Sequence, residues 1–165
     1  MSDFAIRAAR RTDGPALAQI DHDTWDPAGS PAPRWPADVD FFGGHTRPGT
    51  IVLVADDGAP AGYVKLVPAS ELQSHRHVLE VHGLAVAPRR QGHGIGRALL
   101  RAALEAARAG GARRVRLRVL ATNRRAIGLY ESVGFSCEAR LSEEFEVGGR
   151  FVDDLVMSYS LSSST

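Results

Sequence analysis

The fold is decided by the stretch LAVAPRRQGHGIGRALL, residues 84–100. Its first residues close an apolar run that starts at Val78, and Pro88 ends that run because proline cannot donate to a continuing strand ladder. Glycines then stand at the alternate positions 92, 94 and 96, and apolar residues recur at helical spacing beyond them. The stretch therefore predicts a strand, a glycine-rich turn and an amphipathic helix.

The glycine-rich turn predicts a site for a pyrophosphate group. Glycines let successive backbone N–H groups point into one concavity, and the N-terminus of the following helix adds partial positive charge there. Such a turn can also be no more than a tight connection. Arg97 stands where the dinucleotide-binding fingerprint needs a glycine, and the Gly-Lys-Ser/Thr ending of the phosphate loop of nucleotide hydrolases is absent. These two kinds of nucleotide site are therefore excluded.

The residues on either side of the turn predict an α/β domain. The helix after the turn runs from Gly94 to Ala109, with apolar side chains on one face and charged ones on the other. The sequence before the turn predicts a first strand and helix over residues 4–20 and a strand, hairpin and strand over 51–67. The sequence after it predicts a half-buried strand over 115–119, a short helix over 123–134 and a terminal hairpin over 145–159.

The composition is that of one domain without a strong electrostatic field. The chain fits a single domain over residues 1–161, followed by a polar tail, residues 162–165, that we expect to be disordered. Because 20 basic side chains stand against 19 acidic ones, we expect no binding to nucleic acid or to a membrane. The N-terminus shows no apolar leader, and the single cysteine, Cys137, fits a reducing compartment, so we expect a cytoplasmic protein. We expect Cys137 to be a small buried residue and not a nucleophile.

A second block, NRRAIGLYESVGF at residues 123–135, follows the glycine-rich turn at a distance that completes a family pattern. Together the two blocks resemble the GCN5-related N-acetyltransferases. In that family's Gln/Arg-x-x-Gly-x-Gly/Ala pattern, the three defined places are taken by Gln91, Gly94 and Gly96. The resemblance covers residues 78–137 closely and leaves residues 21–49 unmatched.

The resemblance implies a fold and a donor. The fold is a mixed, mostly antiparallel central sheet flanked by helices and splayed between its fourth and fifth strands. The donor is acetyl-CoA, whose pantetheine arm would pair with the backbone of the fourth strand, where freed N–H groups also stabilise the oxyanion of the reacting thioester. The implied donor-binding residues are Leu84, Ala85, Val86, Gln91, Gly92, His93, Gly94, Ile95, Gly96, Arg97, Asn123 and Ala126.

The resemblance also implies catalytic roles. Tyr130 corresponds to the family's general acid, which protonates the leaving thiolate, although helical spacing equally suits a core aromatic. The amine must lose a proton before it attacks, and the family places bases at the positions of Glu80 and His82, with a water relay as the alternative. On a regular strand these two side chains share a face. Glu80 could instead pair with an arginine and His82 could pack under the helix, and Asn123 could act as a helix N-cap.

The acceptor is less well specified. Residues 21–49 hold both tryptophans and Phe41 and Phe42, and we interpret this segment as a wall of a pocket for a small primary amine that attacks the donor directly in a ternary complex. The alternatives are a protein or peptide amine, or a non-catalytic acyl-CoA-binding module. The histidines at positions 75, 77 and 82 lack further ligands at a suitable spacing, so we expect no metal. A homodimer is expected from the family alone.

Overall fold

The computed structural model describes residues 3–44 and 46–162, and within them seven strands form one sheet in the order β1-β2-β3-β4-β5-β7-β6. Neighbouring strands are antiparallel except for the parallel pair β4 and β5, which confirms the predicted mixed sheet. Of the predicted tail, residues 163–165 lie outside the described residues. The elements are β1 Ala5–Ala8, α1 Gly14–Thr24, β2 Ile51–Asp56, β3 Pro60–Pro68, β4 Val78–Val86, α2 Ile95–Ala109, β5 Arg114–Leu120, α3 Arg124–Val133, β6 Ser136–Val147 and β7 Arg150–Ser160.

Helices cover both faces of the sheet. On one face, Leu99 and Leu104 of α2 pack with Val64 of β3 in the larger apolar cluster, while the arginines of α2 remain in solvent. On the other face, Leu17 of α1 packs with Tyr63 of β3 in a second cluster. Because successive residues of a strand point to opposite faces, Tyr63 and Val64 belong to different clusters. The helix α1 is thereby fixed directly above β3.

The strands β4 and β5 are joined at one end only. Their register pairs Val78–Glu80 with Arg114–Arg116, and beyond Glu80 the edge of β4 that faces β5 has no paired strand. The predicted splay between the fourth and fifth strands is therefore confirmed. It leaves a row of backbone N–H and C=O groups along residues 81–86 that need other partners.

A β-bulge lies in β4 at the start of this open edge. Lys65 of β3 pairs with Gly83, but the next residue, Leu66, pairs with Val81, so His82 is the extra residue. A bulge breaks the two-residue alternation of side chains and re-aims those that follow. The alternation that would place Glu80 and His82 on one face is therefore interrupted between them.

The proline-rich segment between α1 and β2 has no helix or strand in its described residues, 25–44 and 46–50. Its first part leaves the end of α1 at Trp25, whose indole N–H donates to the backbone carbonyl of Ala32 over 2.9 Å. Its later part returns to α1, where Phe41 contacts Phe42 and Tyr63 edge to face. No helix in the described part of the chain is long and apolar enough to span a membrane.

Candidate active site

The glycine-rich turn presents a row of free amide groups. Gly92 and Gly94 adopt left-handed backbone conformations, with φ of 81° and 79°, which non-glycine residues rarely adopt. Within residues 3–44 and 46–162, the N–H groups of residues 92–94 donate to no acceptor. Gly94 is the N-cap of α2, so the N–H groups of the first turn of the helix are also without helical partners. The turn thus has the donors and the helix dipole that a phosphate group requires.

Side chains hold this turn against the end of β4. The amide nitrogen Nε2 of Gln91 donates to the carbonyl of Val86 over 3.0 Å. The Nδ1 atom of His93 lies 3.0 Å from the carbonyl of Gln91 and 3.2 Å from that of Arg90. Arg90 forms two hydrogen bonds, of 2.7 and 3.0 Å, with the carboxylate of Asp3. The turn is therefore braced before any ligand binds.

A cleft of about 260 Å³, which we call the turn cleft, opens over the glycines. It brings together most of the residues that the resemblance implied for the donor. His93 and Arg97 do not line it, whereas Thr24, Arg90 and Arg125 do, although the sequence did not point to them. The predicted residues that line it are Leu84, Ala85, Val86, Gln91, Gly92, Gly94, Ile95 and Gly96.

The open edge of β4 runs from the turn cleft into the splay. The N–H of Ala87 donates to the carbonyl of Ala61 on β3, and the backbone groups of alternate residues in an antiparallel pair point the same way. Ala85 therefore points its polar groups toward β3, and those of Leu84 and Val86 point into the open side. Because Gln91 already bonds to the carbonyl of Val86, the N–H of Val86 and both groups of Leu84 remain for an extended ligand.

A second cavity, of about 500 Å³, lies between the start of the proline-rich segment and β4, and we call it the tryptophan chamber. Trp25 and Trp35 line it, and it shares Leu84 and Ala85 with the turn cleft. Phe41 and Phe42 do not line it, because they pack against α1 and β3 instead. The other lining residues include Asp21, Thr24, Asp26, Tyr63, His82, Gly83, Asn123, Arg125 and Ala126.

The chamber contains a hydrogen-bonded acid that the sequence did not indicate. The hydroxyl of Tyr63 donates to the carboxylate of Asp21 over 2.5 Å. Burial raises the pKa of Asp21, while the hydrogen bond from Tyr63 and the charge of Lys65 oppose that rise. Burial also raises the pKa of Tyr63, so its phenol stays protonated. Gly83 makes room for this pair, because a Cβ atom there would lie 2.7 Å from the Tyr63 hydroxyl oxygen.

Tyr130 lines a third cavity, of about 410 Å³, which we call the tyrosine pocket and which shares Leu84 with the other two cavities. Burial raises the pKa of Tyr130 to about 12. Its hydroxyl forms no hydrogen bond within the described residues, so it is free to act on a ligand. Asn123 caps α3, since its Oδ1 accepts from the N–H of Ala126 over 3.2 Å, and both residues line the chamber as well as this pocket.

The two proposed bases are placed differently. His82 lines the tryptophan chamber, where partial burial lowers the pKa of its imidazole, helped by Arg47 and Lys65 and opposed by Glu80. The lowered pKa favours the neutral ring, which can accept a proton. Glu80 does not line the chamber, and its carboxylate lies 3.3 Å from the guanidinium of Arg116. The arrangement brings His82, and not Glu80, directly to the cavity.

Cys137 is exposed on β6, so the expectation of a buried residue is wrong. The reason is that β6 is the edge strand of the sheet and most of its residues face solvent. Cys137 is not among the lining residues of the three cavities. Among the described residues, no group of three or more histidine, cysteine, aspartate or glutamate side chains is placed to hold a metal ion.

Curated proteins similar to this chain are bacterial N-acyltransferases. The L-amino acid N-acyltransferase MnaT of Escherichia coli K12 is 28% identical over 98% of this chain and 96% of its own length. An L-methionine sulfoximine/L-methionine sulfone acetyltransferase of Pseudomonas aeruginosa PAO1 is also 28% identical, over 95% of this chain and 94% of that protein.

Solved structures share the fold over nearly the whole chain. The protein smu.2055 of Streptococcus mutans UA159 matches with a TM-score of 0.85 and 28% identity over 96% of this chain and 99% of that one. The putative acetyltransferase yncA of Salmonella typhimurium, solved with acetyl-CoA, matches with a TM-score of 0.83 and 24% identity over 99% and 97%. The model of the acetyltransferase (GNAT) family matches residues 15–135. The chain therefore belongs to the GNAT family of acetyltransferases and is an acyl-CoA-dependent N-acetyltransferase.

Proposed function

We propose that the protein transfers an acetyl group from acetyl-CoA to the primary amine of a small molecule, by direct attack in a ternary complex. The observation that carries the proposal is the open edge of β4. This edge is shared by the turn cleft and the tryptophan chamber, so two ligands bound there would meet at Leu84 and Ala85.

The donor side of the proposal follows from the free backbone groups. The amides of residues 92–96 bind the pyrophosphate, and the pantetheine arm lies along β4 and pairs with Leu84 and Val86. The N–H groups of the open β4 edge that do not pair with the arm are available to the thioester oxygen. They stabilise it as attack on the carbonyl carbon converts it to an oxyanion, which is the largest electrostatic requirement of acyl transfer.

The proton transfers fall to His82 and Tyr130. The amine arrives largely protonated, and His82, directly or through water, takes the proton that must leave before or during attack. When the tetrahedral intermediate collapses, the carbon–sulfur bond breaks and Tyr130 gives its phenolic proton to the departing thiolate. Burial raises the pKa of Tyr130, but the same burial destabilises the thiolate anion and makes it a stronger base. Glu80 acts on His82 through its charge and remains the alternative base.

A small acceptor fits the size and the neighbours of the chamber. Its volume of about 500 Å³ lies in the usual range for small-molecule sites, which is roughly 300–1,000 Å³. The two curated relatives act, by their names, on an L-amino acid and on methionine sulfoximine or sulfone. These relatives favour a small molecule over a protein amine.

Initial-rate measurements of CoA release test the proposal. The acceptors are amino acids, diamines, aminoglycosides and a peptide with a free N-terminus, each varied against acetyl-CoA. We expect turnover with at least one small amine and double-reciprocal lines that intersect, as a ternary complex requires. Parallel lines would indicate a covalent acyl-enzyme, and turnover of the peptide alone would assign the protein-modifying activity instead.

A further inference from the structure

We propose that the tryptophan chamber selects an acceptor with a second positive charge, a diamine or a basic amino acid, and that Asp21 binds this charge. The inference rests on the proposed function, because it assigns a substrate class to the same chamber. The second charge is distinct from the amine that receives the acetyl group.

Asp21 is placed as a ligand-binding carboxylate. It lies near the end of α1, is half-buried, and lines the chamber. Its Oδ1 atom accepts the hydrogen bond from Tyr63, and among the described residues its Oδ2 atom has no partner. Tyr63 is itself held by packing against Gly83 and Phe41. One oxygen therefore orients the carboxylate, and the other is left to accept from a ligand.

The walls around Asp21 also favour a cation. Trp25 and Trp35 line the same chamber, and aromatic faces attract ammonium groups. Asp26 adds a second carboxylate, of which one oxygen accepts from the N–H of Ala28 and the other has no partner in the described chain. Among the described lining residues, Arg125 brings a positive side chain to the chamber and also lines the turn cleft.

No other charged group in the described part of the chain forms an ion pair with Asp21. Lys65 acts on Asp21 through its charge, but its ammonium lies over the ring of Phe41, at 5.9 Å from the ring centre, and does not line the chamber. His82 also lines the chamber, and burial lowers its pKa and so disfavours its charged form. Among the described residues that line the chamber, the carboxylates of Asp21 and Asp26 therefore stand against one guanidinium, that of Arg125.

Asp21 suits a group that stays charged better than it suits the reacting amine. A carboxylate beside an ammonium raises the pKa of the ammonium and stabilises its protonated form. The nucleophile needs the reverse, because only the neutral amine attacks. A second cationic group on the acceptor can bind to Asp21 without this conflict. Its binding would hold the reacting amine at the β4 edge.

Three acceptors that share an aminobutyl group and differ in the group at its other end provide the test. Putrescine ends in an ammonium, pentylamine in a methyl group and δ-aminovalerate in a carboxylate. We expect kcat/KM for putrescine to exceed that for pentylamine by about 10- to 100-fold, the range of a charge-assisted hydrogen bond, with δ-aminovalerate lowest. Lysine and norleucine repeat the comparison with an α-carboxylate present. A higher kcat/KM for lysine than for putrescine would identify a basic amino acid as the acceptor.

Two variants assign the preference to Asp21. Asp21→Asn should lower kcat/KM for putrescine about 10- to 100-fold more than it lowers kcat/KM for pentylamine, so that the advantage of putrescine is lost. Asp23→Asn is the matched control, since Asp23 lies on the same helix, bonds to Gln19 and does not line the chamber. If Asp21→Asn does not fold, the native enzyme with the three acceptors still decides.

The inference is overturned if δ-aminovalerate is the best acceptor, or if pentylamine and putrescine are equal. It is also overturned if Asp21→Asn lowers both rates by the same factor, because Asp21 would then act on the reacting amine. In each of these cases acetylation continues and the proposed function stands. If none of the amines tested supports CoA release, the proposed function itself is refuted.

Discussion

Replacing Gly94 with valine should weaken donor binding far more than it weakens the fold. Gly94 has a φ of 79°, and a side chain in this left-handed conformation costs about 1–2 kcal/mol. For a chain of this size the thermal midpoint should fall by about 2–4 °C for each kcal/mol. Gly111 provides the control, because its φ is 88° and a Cβ atom at either position meets nothing within 4 Å. Gly111→Val should therefore lower the midpoint by a similar amount.

The two variants should differ in CoA binding. A side chain at Gly94 projects into the turn cleft and prevents phosphate from reaching the amides of residues 92–96, whereas Gly111 lies beyond the other end of α2. Loss of one charge-assisted hydrogen bond, about 1.5–3 kcal/mol, should weaken CoA about 10- to 100-fold in calorimetric titration. Gly111→Val should bind CoA as the native protein does. Equal CoA affinities for the two variants would refute the assignment of the turn as the phosphate site.

Three further changes examine other parts of the structure. Tyr130→Phe should lower kcat by about 100-fold or more and leave CoA affinity intact, and an unchanged kcat would remove Tyr130 from the mechanism. Because the pKa of Tyr130 is raised to about 12, kcat/KM should rise with pH and show no alkaline decline below about pH 10, and a decline there would implicate another acid. The hydrogen bond from Arg7 lowers the pKa of Asp13 from 3.8 to about 2, so Asp13 stabilises the fold above pH 4 and loses this effect as the pH falls toward 2. Asp13→Asn should therefore lower the urea midpoint at pH 7 and reduce its dependence on pH in that window, and an unchanged midpoint would contradict the ion pair.

The donor side could be predicted because its determinants are close in sequence. Pro88 ends β4, the alternate glycines form the turn, and the apolar spacing of α2 begins at once, so local chemistry specifies the whole unit. The N-cap role of Asn123 is local in the same way. The splay could be predicted only from the family resemblance. It depends on where β5 separates from β4, and that separation involves residues far apart in the chain.

The acceptor side could not be predicted because it is assembled by tertiary contacts. Asp21 and Tyr63 are 42 residues apart and meet only because α1 lies above β3. The apolar helix pattern shows that α1 has a buried face, but it does not show which residue of β3 that face contacts. The same limit applies to Phe41 and Phe42, which the sequence places in the pocket wall but which pack against α1 and β3. Their aromatic character is evident in the sequence, but their packing partners are not.

Gly83 connects the two sides of the site. In the sequence, a glycine inside a strand indicates only a bulge or a close approach of another group. The structure shows both, since Gly83 follows the bulged His82 and the Tyr63 hydroxyl lies where its side chain would be. The bulge re-aims β4 at the start of the edge that would face the donor, and the missing side chain lets Tyr63 reach Asp21. One irregularity in β4 therefore shapes both the backbone that would bind the thioester and the acid that would select the acceptor.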